Sequence, residues 1–88
     1  MDKSISSGIL TNSDIILERE GWLMGAILTG GGIDSKVTLY DSADDDLGDA
    51  LEIGFISADV PHFDYMVHCT KGIYAEAENG AEFLVMMR

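Results

Sequence analysis

The side chains best suited to nucleophilic or general-base chemistry are one cysteine and two histidines, and their spacing gives them little to work with. Cys69 follows His68 directly. A thiol becomes a nucleophile when a neighbouring base or positive charge lowers its pKa, but adjacent residues of a strand point to opposite faces. The apolar run around Cys69 predicts a small buried hydrophobe instead. A single cysteine forms neither an intrachain disulfide nor a cysteine-based zinc site. His62 and His68 are six residues apart, which is not a metal-ligand spacing. No Gly-x-Ser-x-Gly elbow is present. Gly30-Gly31-Gly32 lacks the Gly-Lys-Ser/Thr of a phosphate loop, since Lys36 comes too late. Asp59 and Asp64 could pair across a turn, but nothing marks a cleft around them. These residues predict no active site, no enzyme and no cofactor.

One further motif could bind an ion. Asp41 to Asp49 holds five carboxylates in nine residues, and hard cations such as Ca²⁺ take six to eight oxygen ligands. Asp44, Asp46 and Asp49 are the candidate ligands. The EF-hand order is missing, however, because Asp44-x-Asp46-x-Gly48 is only a fragment of it. A solvated acidic turn is the expectation.

The elements that carry these residues read as strands. Period-2 alternation recurs, and ten glycines interrupt the 88 residues at short intervals. Residues 13–20 are too short and too β-branched for a good helix and read as a strand or an extended arm. Trp22 to Thr29 is a nearly continuous apolar run, expected to be covered on both faces. Val37 and Leu39 point inward and Thr38 and Tyr40 outward. Leu51, Ile53 and Phe55 form a second inward set, and Phe63, Tyr65, Val67 and Cys69 a third. Asn79-Gly80 signals a hairpin. A three-residue loop of Glu78, Asn79 and Gly80 keeps Ile73, Ala75, Ala77, Ala81, Phe83, Val85 and Met87 on one face, with Glu76 opposite Glu82 outside. The fold class is all-β: a small antiparallel β-sandwich or partly closed barrel of about six or seven strands, with residues 1–20 an N-terminal arm or edge segment and 21–88 the β-sandwich domain.

Composition narrows the partners. Sixteen Asp and Glu against five Lys and Arg give a net charge of −11. Binding to nucleic acid needs a basic stripe that is missing here, and anionic membrane surfaces repel such a chain. The N-terminus lacks the pattern of a signal peptide and no run reaches the length of a membrane span, so a soluble protein made in a cytoplasm is expected. Trp22, Tyr40, Met66, Tyr74, Leu84 and Met86 fall on the side away from the assigned core. Their convergence on one sheet predicts a covering layer, either the other sheet or another subunit, because a chain this short buries little core alone.

From Gly21 onward the chain resembles small all-β accessory proteins of bacteriophage virions, the head decoration and head fibre proteins. The resemblance rests on Gly21-Trp22-Leu23-Met24-Gly25-Ala26-Ile27-Leu28, on Val37-Thr38-Leu39-Tyr40-Asp41-Ser42, on Ala50-Leu51-Glu52-Ile53, and on Lys71-Gly72-Ile73-Tyr74-Ala75 with the closing strand. Residues 1–20 lie outside it, and the stretch from Glu76 to Glu82 is more acidic than the family pattern. It implies a non-enzymatic capsid decoration or cement protein of the virion. Its partners would be the major capsid protein or other virion proteins, and sister copies, a trimer foremost. A head–tail or tail accessory protein is the near alternative. A carbohydrate-binding β-sandwich, with Trp22 and Tyr40 or Tyr74 as its aromatic platform, is the alternative of another class.

Overall fold

A computed structural model describes residues 5–88; the first four residues of the expected arm lie outside the described ones. The described chain is all-β, with strands β1 (Ile5–Ser6), β2 (Asp14–Leu17), β3 (Gly21–Gly30), β4 (Lys36–Asp41), β5 (Leu51–Ser57), β6 (His62–Phe63), β7 (Val67–Cys69), β8 (Ile73–Glu78) and β9 (Glu82–Met87). They form two antiparallel sheets. The first has the order β1-β9-β3-β6, with β7 also paired to β3; the second has the order β2-β8-β4-β5. The arrangement is sandwich-like, and the sheets do not close into a barrel.

The two orders correspond strand for strand. Each strand on the path β1-β9-β3-β6 is joined in the chain to the strand holding the same place in the second sheet. All four joins lie at one end of the molecule, so a four-stranded antiparallel ribbon is in effect folded across itself. Residues 5–17 run antiparallel along the closing segment through this fold: Ile5 pairs with Met87, Leu10 bridges Phe83, and Leu17 pairs with Ile73. The leading segment is thus an outer strand of both sheets, seated on its own chain.

This geometry corrects the expected hairpin. β8 and β9 do not pair; they belong to opposite sheets, and Asn79-Gly80 is the corner between them. Both turn residues have positive φ, 57° and 73°, and Ala81 N–H donates to Glu78 C=O at 3.3 Å, which is the two-residue turn of the I′ type rather than a three-residue bulged loop. Glu76 faces Thr38, and Glu82 lies beside Gly30, so the two glutamates are not neighbours. The inward set survives, because strands facing one another across a core present the same pattern as paired ones. Ile73, Ala75, Ala81, Phe83, Val85 and Met87 are buried, and Ala77 packs against them. Full burial of a ring such as Phe83 stabilises the fold by about 2–3 kcal/mol.

Two bulges displace other assignments. β3 slips register between Leu23 and Gly25 against β9. Leu23 and Ala26 are buried while Trp22 and Ile27 are 37% and 39% exposed, so this strand is covered on one face, not two. Between β4 and β5 the register slips at Leu39/Tyr40. Gly54 and Ile56 thereby come opposite Leu39 and Val37, and Ile56 is the fully buried residue. Phe55, at 40% exposure, pairs with Thr38 on the outer face, contrary to the alternation; Leu51 lies opposite buried Asp41 on the inner side but is 69% exposed at the strand's end, and only Ile53 keeps contact with the core. Tyr65 is also exposed. It stacks on Phe63 with ring centroids 4.6 Å apart, and the two rings lie over Gly54, where a Cβ would meet Phe63 Cζ at 2.9 Å.

Candidate functional site

The six residues expected to share one sheet face divide between opposite sides of the molecule. Trp22, Leu84 and Met86 lie on the outer face of the first sheet, because the β3 bulge restores the alternation after Gly25 and sets Ile27 beside Leu84. Met86 pairs with Gly25, and its side chain lies over that glycine. Trp22, Ile27, Leu84 and Met86 make an apolar stripe crossing β3 and β9, each of them half-buried or exposed. The histidines flank it: His62 pairs with Ile27 and His68 with Trp22. His68 packs on the indole at 4.8 Å between ring centroids, and its Nε2 lies 2.8 Å from Glu20 Oε2. The two imidazoles sit at different positions along β3, with different partners.

Tyr40 and Tyr74 lie on the outer face of the second sheet, paired side by side with Ile15 beyond Tyr74. This face is acidic. Glu52 pairs with Tyr40, and Glu76 and Glu78 pair with Thr38 and Lys36. The Tyr40 hydroxyl is pushed above the usual tyrosine range, first by burial and then by the negative charge of Glu76, Glu52 and Glu78. Lys36 lies 5.3 Å from the centroid of the Phe55 ring. Met66, exposed in the link between β6 and β7, belongs to neither face. An aromatic platform combining Trp22 with either tyrosine does not form, because the two sheets separate them.

The acidic loop uses its own carboxylates. Asp44 Oδ1 accepts from Asp46 N–H at 3.0 Å, and Asp46 Oδ1 from Gly48 N–H at 3.4 Å. Asp44, Asp46 and Asp49 line an open hollow with Asp41 and Lys71. Among the described residues no three His, Cys, Asp or Glu side chains are grouped so as to hold a metal ion.

Asp41 has a role that no motif announces. It is only 7% exposed, and its Oδ1 accepts from Lys71 N–H at 2.9 Å and Gly72 N–H at 3.3 Å. Its Oδ2 accepts from the Thr70 N–H at 3.0 Å and hydroxyl at 3.1 Å. Burial raises this carboxyl's pKa, but the hydrogen bonds from Lys71, Thr70 and Gly72 outweigh burial and hold it below its ordinary value. Cys69 is fully buried, and its thiol is pushed up to about 11 by burial and by the nearby Asp41 charge. It is a protonated core residue, the opposite of an activated nucleophile.

The one signal that could have located the exposed Ile27 is its place five residues after Trp22, across a glycine able to bulge. No family model matches the chain, and no curated protein matches it in sequence.

Proposed function

We propose that this protein is a non-enzymatic structural component of a bacteriophage virion, a capsid decoration or cement protein. It binds the major capsid protein, or sister copies gathered on it as a trimer, through the outer face of the first sheet. The observation that supports this reading is the division of the surface. Trp22, Ile27, Leu84 and Met86 form an apolar stripe on one sheet, while Glu52, Glu76 and Glu78 stand on the other. An apolar centre with a polar rim is how interfaces are built, and the acidic face left in solvent gives repulsion between particles. The virion assignment itself comes from the resemblance of residues 21–88 to phage accessory proteins. A head–tail or tail accessory role shares the same surface and differs in the scaffold it meets.

Sedimentation of assembled particles tests this. The chain is expected to co-sediment with capsids, and Trp22→Asp to move it to the supernatant with its melting temperature within a few degrees of the parent. Stoichiometric recovery with tails would select the tail reading. A chain that stays in the supernatant in the presence of intact particles would exclude both.

A further inference from the structure

We propose that the free edge of β5 receives an extended, basic segment of a partner polypeptide, which adds to the second sheet as a further strand. This surface is separate from the stripe around Trp22, and the proposal does not depend on docking there.

The edge is open for a topological reason. The folded ribbon ends with β5 in one sheet and with β6 and β7 in the other, and these do not pair, so the sandwich has an unclosed seam. Backbone direction follows from the turn after β5. Ser57 and Val60 exchange N–H and C=O bonds at 2.9 and 3.1 Å, so the Ser57 groups point away from β4. Antiparallel alternation then directs the Phe55 N–H and C=O away from β4 as well. Among the described residues neither group has a partner. Two residues before Phe55, the Ile53 C=O receives a long contact of 3.5 Å from the Tyr65 hydroxyl. The rim of the seam is apolar: Leu51, Phe55, Val60, Tyr65 and Met66 are all exposed. An unpaired edge beside exposed apolar side chains is the template for strand addition.

Charge selects the occupant. Asp49, Glu52, Asp59 and Asp64 are exposed around this edge; of the cations near it, Lys36 lies over the Phe55 ring and Lys71 lines the hollow that holds Asp49 together with Asp41, Asp44 and Asp46. A second copy offers nothing complementary. Pairing β5 with itself in antiparallel register sets acidic segments side by side, and the opposite edge of the sheet, β2, brings Asp14 and Glu18. With a net charge of −11 on each chain, copies repel at this edge. The fitting partner is an extended segment alternating Lys or Arg with apolar residues, the former meeting Glu52 and the Phe55 ring on the outer face and the latter meeting Leu51 on the inner side, where it pairs opposite Asp41.

The probe is a synthetic peptide of alternating lysine and valine, about eight residues long to match a typical strand. Its controls are the glutamate–valine counterpart and the same lysine–valine peptide N-methylated at alternate residues, which keeps charge and apolar content but loses backbone donors. Hydrogen exchange at the Phe55 amide of the full chain is the readout. Saturating lysine–valine peptide is expected to slow it by about tenfold or more, corresponding to a bound amide opening in under a tenth of molecules. Both controls should leave it unchanged, and Leu51→Ser should weaken binding about tenfold, or roughly 1.4 kcal/mol. Leu51 is mostly exposed, so this variant keeps its fold. Equal binding by the N-methylated peptide, or an unaltered Phe55 amide at saturation, would overturn strand addition in favour of unspecific attraction to the acidic surface. Concentration-dependent protection of Phe55 without peptide would assign the edge to a second copy instead.

Discussion

Asp41 shows how much one buried carboxylate can organise. Four hydrogen bonds from three consecutive residues converge on it, and they tie the end of β4 to the Thr70–Gly72 link that carries the chain from the first sheet to the second. Without it, the three amides of a tight crossing would lose this acceptor, and that of buried Gly72 would lie out of reach of solvent. Because its pKa is held below the ordinary 3.8, Asp41 binds a proton more weakly in the folded chain than in the unfolded one. Its contribution to stability is therefore fully present above about pH 4 and is lost as pH falls through the lowered folded value. Asp41→Asn is expected to cost about 2–3 kcal/mol at neutral pH, since hydrogen bonds to charged groups are the stronger kind. The variant should also show a flatter decline in stability below pH 4. Urea unfolding across a pH series reads both, and parallel pH curves for parent and variant would show that the carboxylate's charge contributes nothing. Cys69, beside it, illustrates the reverse case: the same burial that Asp41 offsets with hydrogen bonds leaves the thiol protonated.

At the scale of elements, the corner at Asn79-Gly80 sets the architecture. Asn79 occupies the left-handed region at φ 57° and its Nδ2 donates to the Asp34 C=O at 2.8 Å, while its own C=O accepts from the buried Ser35 hydroxyl at 2.8 Å. The β8–β9 corner and the β3–β4 loop are thereby braced to each other. Asn79→Ala loses both the side-chain bond and the tolerance for this conformation, and is expected to cost about 2 kcal/mol; Asn79→Gly loses the bond alone and should cost about 1 kcal/mol less than alanine. Thermal or urea denaturation of the two variants separates the contributions, and equal losses would mean that backbone strain plays no part. This corner also marks where the sequence stops being legible. Alternation gave the inward faces of β4, β8 and β9 and the all-β class correctly, because side-chain direction is a local property of a strand. It could not say whether two adjacent strands pair in one sheet or face each other across a core, since both arrangements bury Ile73, Ala75, Phe83 and Val85 alike. Nor could it place Phe55 or the Trp22 stripe, because a single bulge inverts every residue beyond it. The split of Trp22 and Tyr40 onto opposite faces follows from the same two causes: a bulge in each strand and a chain that changes sheet between them.

For the whole molecule, the charge balance sets the conditions under which either surface can work. Eleven net negative charges sit on a body with a radius of gyration of 11.8 Å, close to the Debye length of ~10 Å at 0.1 M salt. Most of these charges therefore feel one another at low ionic strength. The folded state concentrates them more than the unfolded chain does, so self-repulsion opposes folding. Raising salt from ~0.01 M to ~1 M shortens the Debye length from ~30 Å to ~3 Å and is expected to raise the melting temperature by about 5 °C, the equivalent of roughly 1 kcal/mol for a domain of this size. The same screening removes the barrier to contact between copies through the first sheet's outer face, where the stripe of Trp22, Ile27, Leu84 and Met86 carries no charge of its own. Light scattering in high salt should show association in the parent chain and a monomer in Trp22→Asp, while both chains gain the screening increment in melting temperature and the parent gains more as its concentration rises, because association stabilises the folded state. The two effects have separate origins, one in the charge of the entire surface and one in a single apolar stripe. If Trp22→Asp associates as readily as the parent, the stripe is not the contact, and salt-induced association must run through the acidic face or the β5 edge.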